Sequence, residues 1–275
     1  MSAPDRYAVF GNPIEHSKSP LIHRLFAEQT GQNMVYEKQL VAQNDFDRAA
    51  RQFFDEGGKG LNITVPFKEE AFRFANTLTP RARLAGAVNT LTLLDNGKVE
   101  GDNTDGAGLV TDIENRLAWQ IRGKRVLVLG AGGAVRGVLG PLLDQAPKML
   151  FIANRTKAKA LALVDLFPGS SIIQACSLKE LSGKGSFDIV INGTSTGLHG
   201  GLPDIHPEIF HSDSACYDMV YGDEITPFCC LGKSLGLTQL ADGLGMLVGQ
   251  AAESFYIWRK QRPDLEAVLR ELRKQ

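Results

Sequence analysis

At 275 residues the chain has room for a large core, and its length favours one large or two ordinary domains. A hydrophobic content of 43%, a charged content of 22% and a net charge of −1 describe a globular protein with no electrostatic reason to bind nucleic acid or an anionic membrane. No apolar run approaches the length of a membrane span. The four cysteines lack metal-ligand spacing and the five histidines form no His-Glu-x-x-His cluster, so no metal is assigned. Reduced thiols and the lack of a leader pattern before Tyr7 point to a cytoplasmic protein.

Strands are expected over 7–10, 35–40 and 61–65, with helices near 20–30, 45–56 and 67–76. Such alternation argues a largely parallel sheet with crossover helices. In the third strand Leu61, Ile63 and Val65 alternate with polar positions. Pro66 suits the first turn of the following helix, and Glu69 and Glu70 suit its positive end. Lys68 does not, because the helix dipole disfavours a cation there by roughly 0.3–1 kcal/mol. A residue that breaks a local rule at a strand-to-helix junction is a functional candidate, although a lone lysine is more often simply solvated. Asp95-Asn-Gly97 between two short apolar runs is a strong hairpin signal. A helix from about Thr104 to Leu117 then serves as a connector.

The alternation restarts at Arg125-Val-Leu-Val-Leu129, an apolar run suited to a strand buried on both faces. Further strands are expected at 148–153, 188–191 and 215–219, with helices near 133–145, 157–167 and 227–235. Two final helices, 244–258 and 264–273, have no strand to cover in the second half and are free to return to the first. Pro141 sits inside an otherwise good helix, where it should cost about 3 kcal/mol.

Gly130-Ala-Gly-Gly-Ala134 follows the buried strand and opens a helix, the context a dinucleotide fingerprint requires. Gly130 allows the tight turn, Gly132 lets pyrophosphate approach the backbone, and the helix end supplies unpaired N–H groups. Val135 stands where the third glycine of the pattern would be. At the tip of the next strand, Asn154-Arg-Thr156 carries no acid for a ribose 2′-hydroxyl, and Arg155 and Lys159 are available for a 2′-phosphate. NADP is therefore expected over NAD.

Ser17 and Ser19, in Gly11-Asn-Pro-Ile-Glu-His-Ser-Lys-Ser-Pro20, could donate to a carboxylate or serve as helix caps. Together with Asn62-Ile-Thr-Val-Pro-Phe-Lys68, Gly86-Ala-Val-Asn-Thr90, Asp102-Asn-Thr-Asp-Gly106, the glycine turn, Asn154-Arg-Thr156 and Asp242-Gly-Leu-Gly-Met246, this motif resembles shikimate dehydrogenase over nearly the whole chain. The resemblance implies an N-terminal α/β substrate domain (1–103 plus 242–275), a Rossmann-like doubly wound NADP domain (104–241), and a cleft between them. It implies NADP-linked interconversion of 3-dehydroshikimate and shikimate, an aromatic-biosynthesis step, by a monomer or homodimer. Lys68 and Asp105 match the catalytic pair. Ser17 and Ser19, with Tyr221, should hold the substrate carboxylate, and Asn62, Thr64, Asn89 and Gln250 should contact ring hydroxyls or carboxylate. Gly130, Ala131, Gly132, Gly133 and Ala134, with Asn154, Arg155, Thr156 and Lys159, should bind NADP, and Met219 and Gly243 should line the nicotinamide side. Lys159 stands where many members carry Arg and lacks its planar fork.

Lys68 is expected to carry the reaction's proton, with Asp105 orienting it. The competing readings are a quinate/shikimate paralogue that uses NAD and a non-catalytic sensor of dinucleotide and small acid. The intact Lys68–Asp105 pair speaks against a sensor.

Overall fold

The computed structural model describes residues 3–194, 196 and 201–274. The chain divides into two compact units, one built from the segments up to Gly108 and from Leu247 onward, the other from Leu109–Met246. The sequence boundaries at 103/104 and 241/242 lie five residues ahead of each structural one.

The first unit contains β1 (Asp5–Gly11), α1 (Ser19–Thr30), β2 (Met34–Leu40), α2 (Phe46–Asp55), β3 (Gly58–Ile63), α3 (Lys68–Phe74), β4 (Thr77–Leu78), α4 (Pro80–Ala85), β5 (Thr90–Leu93) and β6 (Val99–Asp102). Its six strands lie in the order β2-β1-β3-β5-β6-β4, with β5 antiparallel to both neighbours and the other pairings parallel. The expected hairpin joins β5 and β6, where Leu94 N–H donates to the Lys98 carbonyl (2.9 Å) and Gly97 takes φ +77°. One face of this sheet packs Ala8 and Phe10 against Phe46, Phe53 and Phe67. On the other, Tyr7 meets Trp258 of α9 (Leu244–Arg259), and Phe26 of α1 meets Phe255. The last helix, α10 (Leu265–Leu272), lies against α1.

Two local expectations are corrected. β3 ends at Ile63, and Val65 is 63% exposed, so the apolar alternation stops one step earlier than read. Pro66 follows a cis peptide within a turn, and the helix begins at Lys68 itself. The short β4 and α4 were not anticipated, although Thr79-Pro80 is a proper helix start: the Thr79 side chain accepts from Ala82 N–H, and Pro80 follows it.

The second unit contains β7 (Arg125–Leu129), α6 (Gly133–Asp144), β8 (Met149–Asn154), α7 (Lys157–Val164), β9 (Ile173–Ser177), β10 (Phe187–Asn192), β11 (Phe210–Asp218), α8 (Pro227–Ser234) and β12 (Gln239–Ala241). Its sheet, ordered β12-β11-β10-β7-β8-β9, is parallel throughout. Numbered within the unit this is 6-5-4-1-2-3, the doubly wound Rossmann order. Central β7 is buried on both faces, Val126 and Val128 with α6 residues and Leu127 and Leu129 with Phe151 and Phe228. The connector is α5 (Asp105–Val110), continued by a π-helical stretch over Thr111–Arg116.

His23 of α1 is fully buried, stacked on Tyr36 at 4.1 Å and ringed by Phe26, Phe255 and Trp258. Among the described residues neither ring nitrogen has a well-formed hydrogen bond, and burial, opposed by the nearby Asn62 side chain, pushes its pKa down from 6.5 to about 3. The folded state therefore binds fewer protons than the unfolded chain below pH 6.5, so the stability is complete above that pH and is lost as pH falls toward 3. At pH 5 the loss from this residue should be about 2 kcal/mol, and His23→Phe should flatten the dependence of unfolding free energy on pH between 6.5 and 5. An unchanged slope in denaturant titrations of that variant would refute the assignment.

Candidate active site

The candidate residues of the first unit gather at one edge of its sheet because the strand register brings them there. Val9, Asn62, Thr90 and Asp102 are successive cross-strand partners on β1, β3, β5 and β6. The turns after β1 and β3 are tied together by Asn12 N–H to the Val65 carbonyl and Thr64 N–H to the Phe10 carbonyl, both 3.0 Å. Gly11 permits this contact, since a Cβ there would meet the Thr64 methyl at 2.5 Å. The serine motif and Lys68 thus leave the sheet side by side.

Lys68 Nζ donates to Asp105 Oδ2 at 2.5 Å. The other carboxylate oxygen accepts from Asn89 Nδ2 at 2.8 Å, and the same amide nitrogen reaches Thr104 Oγ1 (2.8 Å) and Gln250 Oε1 (3.3 Å). The Thr104 backbone N–H, which can only donate, points at Asn89 Oδ1 (2.9 Å) and so fixes which end of the amide faces Asp105. The structure therefore brings Lys68, Asp105, Asn89 and Gln250 into one connected set.

Asn62 is oriented by the same logic. Its Nδ2 faces the Asn89 carbonyl at 3.1 Å, so its Oδ1 must accept from the Tyr36 hydroxyl at 2.7 Å. Tyr36 also takes a hydrogen bond from Ser19, while burial pushes its phenol pKa well up. Ser19 is buried at the start of α1, and its N–H reaches Ser17 Oγ at 3.4 Å. A polar chain therefore runs from the serine motif through Tyr36, Asn62 and Asn89 to Asp105. Beside it, Arg81 of α4 grips Asp102 through two bonds of 2.7 Å and reaches Glu253 at 3.3 Å. Burial works to raise the Asp102 pKa, but Arg81 outweighs it and holds the carboxylate below its usual range.

In the second unit Gly130 ends β7 at φ +106°, a conformation that strains any other residue, and a Cβ there would press on Gly193. Gly132, at the N-cap of α6, and Gly133 differ: among the described residues a Cβ at either meets nothing within 4 Å. Protein packing does not call for glycine there, and the open space suits a pyrophosphate seated on the backbone with Ala131 and Ala134 beside it. At the tip of β8, Asn154 Nδ2 closes on the Thr156 carbonyl (2.9 Å). Lys157 is engaged by Glu180 at 2.8 Å, whereas exposed Arg155 and Lys159 make no side-chain bond among the described residues.

Met219 and Gly243 lie together: a Cβ at Gly243 would meet the Met219 carbonyl oxygen at 2.3 Å, and one at Gly193 would meet Met219 Sδ at 3.0 Å. Tyr221 belongs to this unit, and burial raises its phenol pKa. Sequence reasoning missed the cluster behind Met219. There Asn192 Nδ2 donates to Asp218 Oδ1 (3.0 Å), and Thr194 donates to Asn192 Oδ1 (2.7 Å). Asp218 is fully buried, its Oδ2 has no well-formed hydrogen bond among the described residues, and burial outweighs the Thr226 and Asn192 side chains to push its pKa up. Its only sequence signal was a carboxylate at a strand end. Among the described residues no cluster of His, Cys, Asp and Glu is placed to hold a metal ion.

A parallel sheet in Rossmann order with an open glycine turn, and a lysine–carboxylate pair on a second α/β unit, define a dinucleotide-dependent oxidoreductase. Residues 9–91 match the shikimate dehydrogenase substrate binding domain, 112–199 the shikimate/quinate 5-dehydrogenase domain and 243–273 the shikimate 5′-dehydrogenase C-terminal domain. The chain belongs to the shikimate dehydrogenase family. It is 57% identical over 271 residues to shikimate dehydrogenase (NADP(+)) of Cellvibrio japonicus, covering 98% of each chain. It resembles the crystal structure of an Ael1 enzyme from Pseudomonas putida, with 48% identity, a TM-score of 0.93 and 98% of each chain covered. It is also similar to shikimate 5-dehydrogenase of Thermus thermophilus solved with NADP(H) and shikimate, at 30% identity and a TM-score of 0.87, covering 98% of this chain and 99% of that one.

The glycine contacts separate packing from ligand roles. Gly243→Ala forces a Cβ against backbone and should cost about 1–3 kcal/mol, lowering Tm by several degrees, whereas Gly132→Ala should leave Tm within about 1 °C. Equal Tm losses in thermal melts would remove the distinction.

Proposed function

We propose that the protein is an NADP-dependent shikimate dehydrogenase, reducing 3-dehydroshikimate to shikimate and catalysing the reverse reaction. The single observation that carries this reading is the Lys68–Asp105 pair, held by Asn89, which also reaches Gln250, at the sheet edge that also carries Ser17 and Ser19. Those serines are suited to the substrate carboxylate, with Tyr221 as a further donor. Asn62, Thr64, Asn89 and Gln250 are suited to its ring hydroxyls or carboxylate, with the Asn62 and Asn89 amides already engaged within the unit. The cofactor, when bound, would supply the hydride as NADPH in the reduction and accept it as NADP+ in the reverse reaction.

The reduced carbonyl oxygen needs a proton. Lys68 Nζ carries protons in excess of the one given to Asp105, so it can donate while still paired. Asp105 orients the ammonium and, through Asn89, is itself held against rotation. In the oxidation direction the same nitrogen, as the neutral amine, receives the proton from the substrate hydroxyl. Preference for NADP rests on Arg155 and Lys159, which stand exposed where Lys157 is already taken by Glu180. We place the enzyme in the cytoplasm, a reducing setting that suits the free thiols Cys176, Cys216, Cys229 and Cys230.

A spectrophotometric assay crossing shikimate and quinate with NADP and NAD tests the reading. Shikimate with NADP should give the highest kcat/KM, and no turnover with any pair would revive the sensor. Lys68→Ala should lower kcat by a factor on the order of 10² or more with little change in KM for shikimate. Arg155→Ala should raise the KM for NADP about tenfold and leave the KM for NAD nearly unchanged; a parallel rise in both would assign Arg155 to the shared part of the cofactor.

A further inference from the structure

Ser254 of α9 is wholly buried, and its Oγ lies close to four polar groups: Asn62 Nδ2 (3.0 Å), Thr90 Oγ1 (2.8 Å), Thr104 Oγ1 (3.2 Å) and the Gln250 carbonyl (3.1 Å). A serine hydroxyl has one proton and two lone pairs. The Gln250 carbonyl only accepts, so the proton goes there. Asn62 Nδ2 only donates, so it occupies one lone pair. The remaining lone pair can take the hydroxyl proton of Thr90 or of Thr104, not both.

The threonine left over has one other acceptor, Asn89 Oδ1, which lies 2.8 Å from Thr90 Oγ1 and 3.2 Å from Thr104 Oγ1. That oxygen already receives the Thr104 N–H and has room for one more donor. With Ser254 present, every proton in the cluster has a place. Without its Oγ, both threonine protons and the Thr104 N–H converge on two lone pairs of Asn89. One donor is then buried and unsatisfied, and three donors crowded on one oxygen push the Asn89 side chain out of its present alignment. That displacement weakens the bond from Asn89 Nδ2 to Asp105 Oδ1 and loosens the carboxylate that holds Lys68.

We propose that Ser254 is a positioning residue for the reaction, acting through Asn89 on the Lys68–Asp105 pair by absorbing the one surplus hydroxyl proton of the cluster. The inference rests on the reading that Lys68 and Asp105 carry the chemistry. It makes a prediction that simple loss of packing does not: removing the surplus donor repairs the defect. Thr104→Val keeps the shape of the side chain and deletes that proton. Asn89 Nδ2 then turns to Asp105 and Gln250, and Asn89 Oδ1 keeps two donors.

The test measures steady-state kcat for shikimate oxidation with NADP in the wild type, Lys68→Ala, Ser254→Ala and the double variant Ser254→Ala/Thr104→Val, with thermal melts alongside. Ser254→Ala should lower kcat about tenfold, and the double variant should return to within about threefold of the wild type. A Ser254→Ala kcat within about twofold of the wild type overturns the proposal, as does a double variant no faster than Ser254→Ala. If Ser254→Ala does not fold, a folded double variant near wild-type rate supports the accounting, and a slow or unfolded one overturns it. Wild-type turnover together with loss in Lys68→Ala leaves the functional reading standing whatever Ser254 does; absence of wild-type turnover removes that reading instead.

Discussion

The orientation of one buried amide, that of Asn89, is the constraint on which the first unit's polar cluster depends. Its backbone joins β3 to the β5–β6 hairpin, with its carbonyl accepting from Ile63 N–H and its N–H donating to Asp102. Its side chain is locked by the Thr104 N–H and in turn holds Asp105. A carboxylate paired with one lysine retains freedom to rotate about its bond. A second donor on the other oxygen removes that freedom and holds the pair aligned. The remaining polar groups of the cluster, Asn62, Thr90, Thr104 and Ser254, read as the supports of that lock.

The second unit depends on close backbone approach rather than on a polar lock. Gly130, Gly193 and Gly243 let the loops after β7 and β10 and the segment after β12 converge on Met219. Gly245 performs the same service at Asp112, whose oxygen a Cβ would meet at 2.0 Å. Asp112 is in turn held by Arg116 and by the Tyr217 hydroxyl. The glycines of the Asp242-Gly-Leu-Gly-Met246 motif thus have packing reasons of their own, independent of any ligand. Among the described residues nothing lies near a Cβ built on Gly132 or Gly133, so packing there does not call for glycine.

Central elements were legible from sequence because burial on both faces leaves an apolar run, as in β7, or a clean alternation. The strands that escaped notice, β4, β9 and β12, all lie at sheet edges. Edge strands are short and need be apolar on one side at most, and β12 has only three residues. At the site, Lys68 announced itself by standing at the wrong end of a helix, and the glycine turn by following a strand. Recognising the rest required the joint pattern of motifs. Ser254, Tyr36 and Asp218 stayed hidden for a physical reason: a lone polar residue in a helix or strand looks the same whether it faces water or a buried partner, and only tertiary contacts decide between them.

The first unit is discontinuous, and its missing piece, from Leu247 onward, carries Gln250 and Ser254. During synthesis that piece emerges only after the whole of Leu109–Met246 has been made. The strands of the first sheet can pair early, but Asn62 and Asn89 then expose buried-type amides with no helix to cover them. The intervening unit is uninterrupted and can fold as it appears. The order of assembly on the ribosome is therefore inverted relative to the order of the chain: the later unit is complete first, and the lysine that began as an oddity in sequence is the last to gain its full setting.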